Sequence, residues 1–337
     1  MKNAYERLVR PLLFSIEPET AHHFTLSCLR AASNVAPVLH TLTQFRPDPN
    51  PKTIFGVNFP NPIGVAAGLD KNGVALRAWA ALGFGFIEIG TVTAKAQPGN
   101  PKPRVFRLPE HGALVNRLGF NNDGADAIAD RLKKLKAIGR WPDVPVGINI
   151  GKSMSTPLSE ASADYLYSFQ LLRELADYVV LNVSSPNTPG LRELQGAAVL
   201  ADLLQAINEK NVITGKPVVV KIAPDLGPKE LEQIVTVCEV NKVAAIIATN
   251  TTLDHSSIPA NKDEQGGLSG APLLEKSTTL VRTIAARSTI PIIASGGIFD
   301  GNSAREKIEA GAKLIQLYTG LIYRGPGLLR EIAEAIA

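Results

Sequence analysis

The sequence predicts a (β/α)8 barrel with a two-helix extension at its N-terminus. Three observations predict it: eight short apolar runs follow one another from about residue 60, helical periods separate them, and polar or glycine residues close each run. The runs are apolar throughout instead of alternating, the pattern of strands covered on both faces in a parallel sheet. Eight strand–helix units in sequence make a closed barrel. An open doubly wound sheet uses the same units and is the structural alternative.

Residues 1–45 precede the repeat. Tyr5, Leu8, Val9, Leu12, Leu13 and Ile16 form one apolar stripe at helical spacing, and Ala21, Phe24, Cys28, Leu29, Ala32, Val35, Leu39 and Leu42 form a second. With Lys2, Arg7, Arg10 and Arg30 nearby, two such amphipathic helices suit a membrane surface or a cap on the barrel. The proline-rich RPDPNPK then leads into a barrel domain spanning 46–337.

The runs are IGVAAG (63–68), FGFIEIGTV (84–92), PVGINIG (145–151), YVVLNVSS (178–185), PVVVKIA (217–223), VAAIIATNT (243–251), IPIIASGG (290–297) and LIQLYTG (314–320). Between them ADAIADRLKKLKAIG, LADLLQAINEK and PKELEQIVTVCEVNK carry apolar residues three and four apart and read as helices. Barrel active sites lie at the C-terminal strand ends. Those ends present Lys71, Thr91, Asn149, Asn182 with Ser185, Lys221, Thr249 with Asn250, Gly296 with Gly297, and Tyr318 with Thr319. Lys221 follows three valines, and a charge buried there needs a partner.

Three connections exceed the two to six residues usual in such units. The first runs from the second strand through VFRL and ALVN, which can pair as a hairpin over the barrel mouth. The second is the SSPNTPGL loop, and the third contains TLDHSSIPANKDEQGGLSGAP. Loops of this length above a barrel mouth suit a lid or a substrate site.

Composition narrows the function. The chain has 337 residues, 45% hydrophobic and 20% charged, with a net charge of +4, an ordinary globular balance. Its basic residues are scattered and not interleaved with aromatics, so nucleic acid is not an expected partner. Cys28 and Cys238, the only cysteines, stand far apart in helix-like segments. They imply neither a disulfide framework nor a metal motif and suit a reducing cytoplasm. No apolar run approaches a membrane span, and Pro11 and Pro18 interrupt any signal-peptide core.

The glycine-bearing SGG and YTG ends occupy the place where barrels hold phosphate on backbone N–H groups. Asn116, Asn149, Asn182, Asn187 and Asn250 offer paired donors and acceptors without charge, suited to a planar heterocycle with alternating C=O and N–H groups. Lys71 and Lys221 can hold a carboxylate or stabilise electron density on a cofactor ring. Either lysine could instead be the nucleophile of a Schiff-base aldolase on the same barrel.

The stretches AAGLDKNG, EIGTVT, NRLGFNN, GINIGK, NVSSPNTPGLR, VVVKIAPDL, ATNTT, GGLSG and SGGI closely resemble, in order and over nearly the whole chain, the class 2 dihydroorotate dehydrogenases. That resemblance implies oxidation of dihydroorotate to orotate in pyrimidine synthesis, with a tightly bound FMN and a membrane quinone as acceptor. It places FMN on Ala67, Gly68, Thr91, Asn149, Asn182, Lys221, Thr249, Gly270, Gly297, Tyr318 and Thr319. It places the substrate on Lys71, Asn116, Arg117, Leu118, Gly119, Phe120, Asn182, Asn187, Asn250 and Thr251. Ser185 matches the base that removes the C5 proton, with Thr188 a candidate for relaying it through water; Ser184 is the alternative base. The extension would form a quinone tunnel, with His22 and Arg107 as its polar contacts. A peripheral position on lipid, at the cytoplasmic face of the cell membrane, is implied with it. GKSMSTP (151–157) departs from the family pattern, which generally has an asparagine after the lysine.

Overall fold

The computed structural model describes residues 4–337; Lys2 of the basic N-terminal set lies outside them. The strands in chain order are β1 (Lys52–Ile54), β2 (Val57–Phe59), β3 (Ile63–Val65), β4 (Phe86–Val92), β5 (Val105–Leu108), β6 (Ala113–Asn116), β7 (Val146–Ile150), β8 (Tyr178–Asn182), β9 (Val218–Ile222), β10 (Ala245–Ala248), β11 (Gly267–Gly270), β12 (Ile292–Ser295) and β13 (Leu314–Leu317). Eight of them, β3, β4, β7, β8, β9, β10, β12 and β13, are parallel and close into a barrel in chain order. Closure is the β13–β3 pairing, Ile315 opposite Ile63 and Leu317 opposite Val65. An open doubly wound sheet would leave those two edges free.

The barrel interior follows the two-residue period of a strand. Phe86 and Tyr178 fill its N-terminal end beside Phe59 of β2, all three almost fully buried, with the Phe59 and Phe86 rings edge to face at 5.3 Å. Glycine makes this floor possible. A Cβ at Gly64 would lie 2.2 Å from the Phe86 ring, and one at Gly147 would lie 2.2 Å from the Tyr178 ring. Two residues further along the same strands the interior becomes polar, with Glu88 and Asn149 buried, and Lys221 and Gln316 buried on β9 and β13. The floor thus seals one end, and the chemistry-bearing side chains gather toward the other.

The hairpin expected from VFRL and ALVN forms: β5 and β6 pair antiparallel, Phe106 opposite Val115. The glycine-rich β11 adds a third strand to it, with Leu268 opposite Val115. This small sheet brings together the long connections after the second and sixth barrel strands.

The first stripe of the extension forms a π-helical turn (Tyr5–Val9) running into α1 (Arg10–Phe14). The second stripe is divided between α2 (Pro18–Ala32) and α3 (Ala36–Leu42). The break falls before Pro37, the second residue of α3, because a proline has no N–H for the preceding turn and its ring crowds it. Glu17 caps α2, its carboxylate accepting the Glu19 N–H at 2.9 Å and the Thr20 N–H at 2.6 Å. α2 packs against β5 and the helix Leu76–Leu82. Leu8, Leu12 and Phe24 remain 67%, 72% and 59% exposed. No helix among the described residues is long and apolar enough to cross a membrane.

Candidate active site

A cavity opens at the C-terminal ends of the barrel strands. Its lining contains Ala67, Gly68 and Lys71 after β3, Thr91 on β4, Asn182, Ser185 and Asn187 on and after β8, and Lys221 on β9. Thr249, Asn250 and Thr251 follow β10, Gly270 comes from β11, Gly297 follows β12, and Tyr318 and Thr319 follow β13. From the hairpin side come Asn116, Leu118, Gly119 and Phe120. Its volume, open mouth included, is about 940 Å³.

A belt of uncharged side chains runs round this end of the barrel. Asn250 donates through Nδ2 to Asn182 Oδ1 at 3.2 Å. Asn182 donates to Thr91 Oγ1 at 2.9 Å, and Thr91 donates to Asn149 Oδ1 at 2.6 Å. Asn149 donates in turn to Glu88 Oε1 at 2.8 Å, and Gln316 Nε2 donates to Glu88 Oε2 at 2.5 Å. Each amide is held in one orientation by its neighbour, so the belt presents fixed donors and acceptors to a ligand. Asn149 stands behind Thr91 and supports it.

Glu88 is the buried acid whose charge is felt at Lys221, without an ion pair between them. Burial raises the Glu88 carboxyl and lowers the Lys221 ammonium, and the opposite charge of each resists the shift in the other. Sequence reading missed Glu88. Its signal was an acid inside the apolar run FIEIG, in the middle of a strand. Among the described residues Lys221 Nζ has no hydrogen-bond acceptor, and the buried Gln316 Oε1 has no partner. A cationic donor and an unpaired amide acceptor in one cavity wall fit the edge of a polar ring system such as a flavin.

The two serines of NVSSPN face different surroundings. Ser184 Oγ is spent within the protein, donating to Asn182 Oδ1 at 3.1 Å and accepting from Asn250 Nδ2 at 3.0 Å. Ser185 lines the cavity while only 5% exposed, and its Oγ accepts the Asn187 N–H at 3.3 Å. The buried Thr188 Oγ1, three residues on, has no partner.

The loop carrying Ser185 is clamped from outside the cavity. Arg192 donates to Ser184 O at 3.2 Å, Asp225 Oδ2 at 2.9 Å and Thr251 O at 3.0 Å. Asp225 also accepts from Thr252 and from Lys276 Nζ at 2.8 Å. Burial would raise the Asp225 carboxyl, but these donors hold it below the ordinary range. The Arg192–Asp225 clamp was not legible, because its partners lie 33 residues apart and meet only after folding. Arg117 departs from the expected substrate set: its guanidinium turns outward to Glu264 (3.3 Å) and Gln265 O (3.0 Å) and stacks over Phe106.

A second, largely apolar cavity lies between the extension and the barrel. Its walls include Leu13, Phe14, Phe24 and Leu29 from the extension and Leu82 and Ile322 from the barrel, with His22 and Arg107 among its few polar groups. Burial, with Lys71 and His23 adding to it, brings the His22 imidazole down to about 3, so it is neutral at physiological pH. Arg107 lies over the Phe14 ring at 4.5 Å and donates to Ile16 O at 2.8 Å, fastening the extension to β5. Lys71 lines both cavities, its ammonium donating to Gly68 O at 3.0 Å.

Fold and site together define a barrel enzyme with one polar cavity at the strand ends and one apolar cavity beside it. The sequence model for the family Dihydroorotate dehydrogenase matches residues 51–337. The quinone dihydroorotate dehydrogenase of Gloeobacter violaceus is 51% identical over 98% of this chain and 93% of its own length. That of Methylococcus capsulatus is 48% identical over 99% of both. Among solved structures, the Eimeria tenella DHODH in complex with ferulenol superposes with a TM-score of 0.81 at 34% identity, covering 94% of this chain and 90% of its own. The chain belongs to the dihydroorotate dehydrogenase family.

Proposed function

We propose that the polar cavity holds FMN and dihydroorotate side by side, and that Ser185 is the base that takes the substrate's C5 proton. The overall activity follows from family membership: the protein oxidises dihydroorotate to orotate, with a quinone as electron acceptor, in pyrimidine biosynthesis. A flavin is the cofactor of this family. The Schiff-base reading of Lys221 or Lys71 is set aside accordingly. One observation carries the site assignment. A single cavity joins a buried serine hydroxyl, an amide belt and two lysines that face it without carboxylate hydrogen bonds.

When bound, FMN supplies a two-electron acceptor for the substrate's C6 hydride. It is held by Ala67, Gly68, Thr91, Asn182, Lys221, Thr249, Gly270, Gly297, Tyr318 and Thr319, with Asn149 behind them. Lys221 brings its ammonium group to that wall, where burial lowers its pKa and the Glu88 carboxylate opposes the shift. Asn116, Asn182, Asn187 and Asn250 hold the amide edge of dihydroorotate, and Lys71 holds its carboxylate. Leu118, Gly119, Phe120 and Thr251 close the pocket around it. Arg117 acts only through the backbone of this segment. Ser185 is a weak base alone; the buried Thr188 hydroxyl, which has no protein partner, relays its proton outward through a water.

The apolar cavity takes the quinone, with neutral His22 and Arg107 among its few polar groups. The exposed Leu8, Leu12 and Phe24 seat the extension on membrane lipid, from which a long-tailed quinone enters. Flavin extracted from the purified protein should be FMN at about one per chain, and anaerobic dihydroorotate should bleach its visible absorbance. Colourless protein that stays colourless when mixed with FMN, or a flavin that dihydroorotate leaves oxidised, contradicts the reading.

A further inference from the structure

Glu19 lies on α2, in the extension, yet only 2% of it is exposed. Its carboxylate takes a two-pronged contact from Arg104, Nε to Oε2 at 3.0 Å and Nη2 to Oε1 at 2.6 Å. Arg104, itself 6% exposed, belongs to the barrel's long second connection. Burial would raise the Glu19 carboxyl, but Arg104, with Lys102 and His23 near, brings it down to about 2. The Glu19 carboxyl is therefore ionised, and neither side chain of the pair is turned to bulk water.

The other arm of Arg104 reaches toward the substrate side of the polar cavity. Nη1 donates to Pro98 O at 2.6 Å and Asn100 O at 2.8 Å. Asn100 Nδ2 donates to Arg117 O at 2.9 Å and Asn187 O at 3.2 Å, and its backbone N–H donates to Leu118 O at 3.1 Å. Leu118 and Asn187 line the cavity, and the Asn187 N–H meets Ser185 Oγ. An unbroken path of buried and half-buried contacts thus runs from the extension to the segment carrying Ser185. Glu19 and Lys71 also share the wall of the apolar cavity.

We infer that the Glu19–Arg104 ion pair is a strut through which the N-terminal extension positions the dihydroorotate side of the active site, so that the extension serves the substrate half-reaction as well as the quinone half-reaction. Glu19 and Arg104 are positioning residues that act through Asn100 on Leu118 and Asn187. Without the carboxylate, the Arg104 guanidinium is left buried and uncompensated and turns toward water, taking the 98–100 segment with it. The inference rests on the proposed placement of dihydroorotate in the polar cavity.

The test is orotate binding to the flavin-loaded, full-length protein, followed through the flavin spectrum with no quinone present, in wild type, Glu19→Gln, Glu19→Asp and Asn100→Ala. Glu19→Gln and Asn100→Ala are each expected to weaken orotate about tenfold, the scale of one lost hydrogen bond of ordinary to charge-assisted strength, and Glu19→Asp to recover part of the loss. In single-turnover reduction by dihydroorotate, the half-saturating concentration should rise while the limiting rate stays within about threefold, as for lost binding. An ion pair that merely fastens the extension would leave orotate affinity unchanged in flavin-loaded Glu19→Gln, and that result overturns the inference. If Glu19→Gln does not retain flavin, Asn100→Ala decides, since it leaves the ion pair intact, and wild-type affinity there overturns the inference too. Wild-type protein that fails to bind orotate overturns the placement of the substrate, and this inference with it.

Discussion

Lys71 shows how one side chain acquires its chemistry from burial. Desolvation pulls its ammonium down to about 8; Glu19 opposes the shift and Arg104 adds to it. Below that pH the lysine is charged and can pair with the carboxylate of orotate; above it the charge is lost. Orotate affinity should therefore be highest at and below neutrality and fall as pH rises through about 8, with the loss extending upward because a bound anion raises the lysine's pKa. Lys71→Arg, which stays charged throughout, should bind with a flat profile between roughly pH 7 and 10. A titration of the flavin spectrum with orotate across that range checks both. At this scale the sequence was legible where a residue type is itself unusual in its place, such as Lys221 after three valines or serines and asparagines at the end of an apolar strand. It was silent on partners that arrive from other strands. The charge of Glu88 is felt at Lys221 only because β4 and β9 face each other across the barrel, and Gln316 reaches Glu88 from 228 residues away.

The barrel strands were legible because burial on both faces writes continuous apolar runs, and all eight appear where those runs lie. β11 was not, since four glycine-rich residues carry no periodicity and become a strand only when β6 offers its edge. Pro37 divides the second helix of the extension, a local signal that the longer apolar stripe masked. The extension contributes walls to the apolar cavity and, through Glu19, buries a charge against the barrel. Deleting residues 1–45 removes both. The truncated protein, if it keeps its flavin, should lose reoxidation by a long-tailed quinone and release from lipid vesicles, while a small soluble dye still accepts electrons. It should also need more dihydroorotate for half-maximal flavin reduction, by about tenfold, because Arg104 has lost its carboxylate. Single-turnover absorbance and vesicle sedimentation measure the two effects. A truncated protein that reduces vesicle-embedded quinone at the full-length rate would remove the extension from the quinone path.

Across the whole molecule, the proposed assignment divides the work between the two cavities by polarity. The barrel floor of Phe59, Phe86 and Tyr178 closes one end. The amide belt and Ser185 face the polar cavity at the other, and the extension lays an apolar cavity alongside, with Lys71 in the wall common to both. Such an arrangement lets a polar acid and an apolar quinone be served in turn without sharing a pocket. Anaerobic stopped-flow absorbance, with flavin reduction by dihydroorotate and reoxidation by quinone recorded separately in Ser185→Ala and Arg107→Ala, tests this division most directly. Ser185→Ala should slow reduction by about a hundredfold or more, the usual worth of a positioned base, with reoxidation within about twofold of wild type; Arg107→Ala should impair reoxidation and spare reduction. Wild-type reduction in Ser185→Ala, or both half-reactions falling together in either variant, would contradict it.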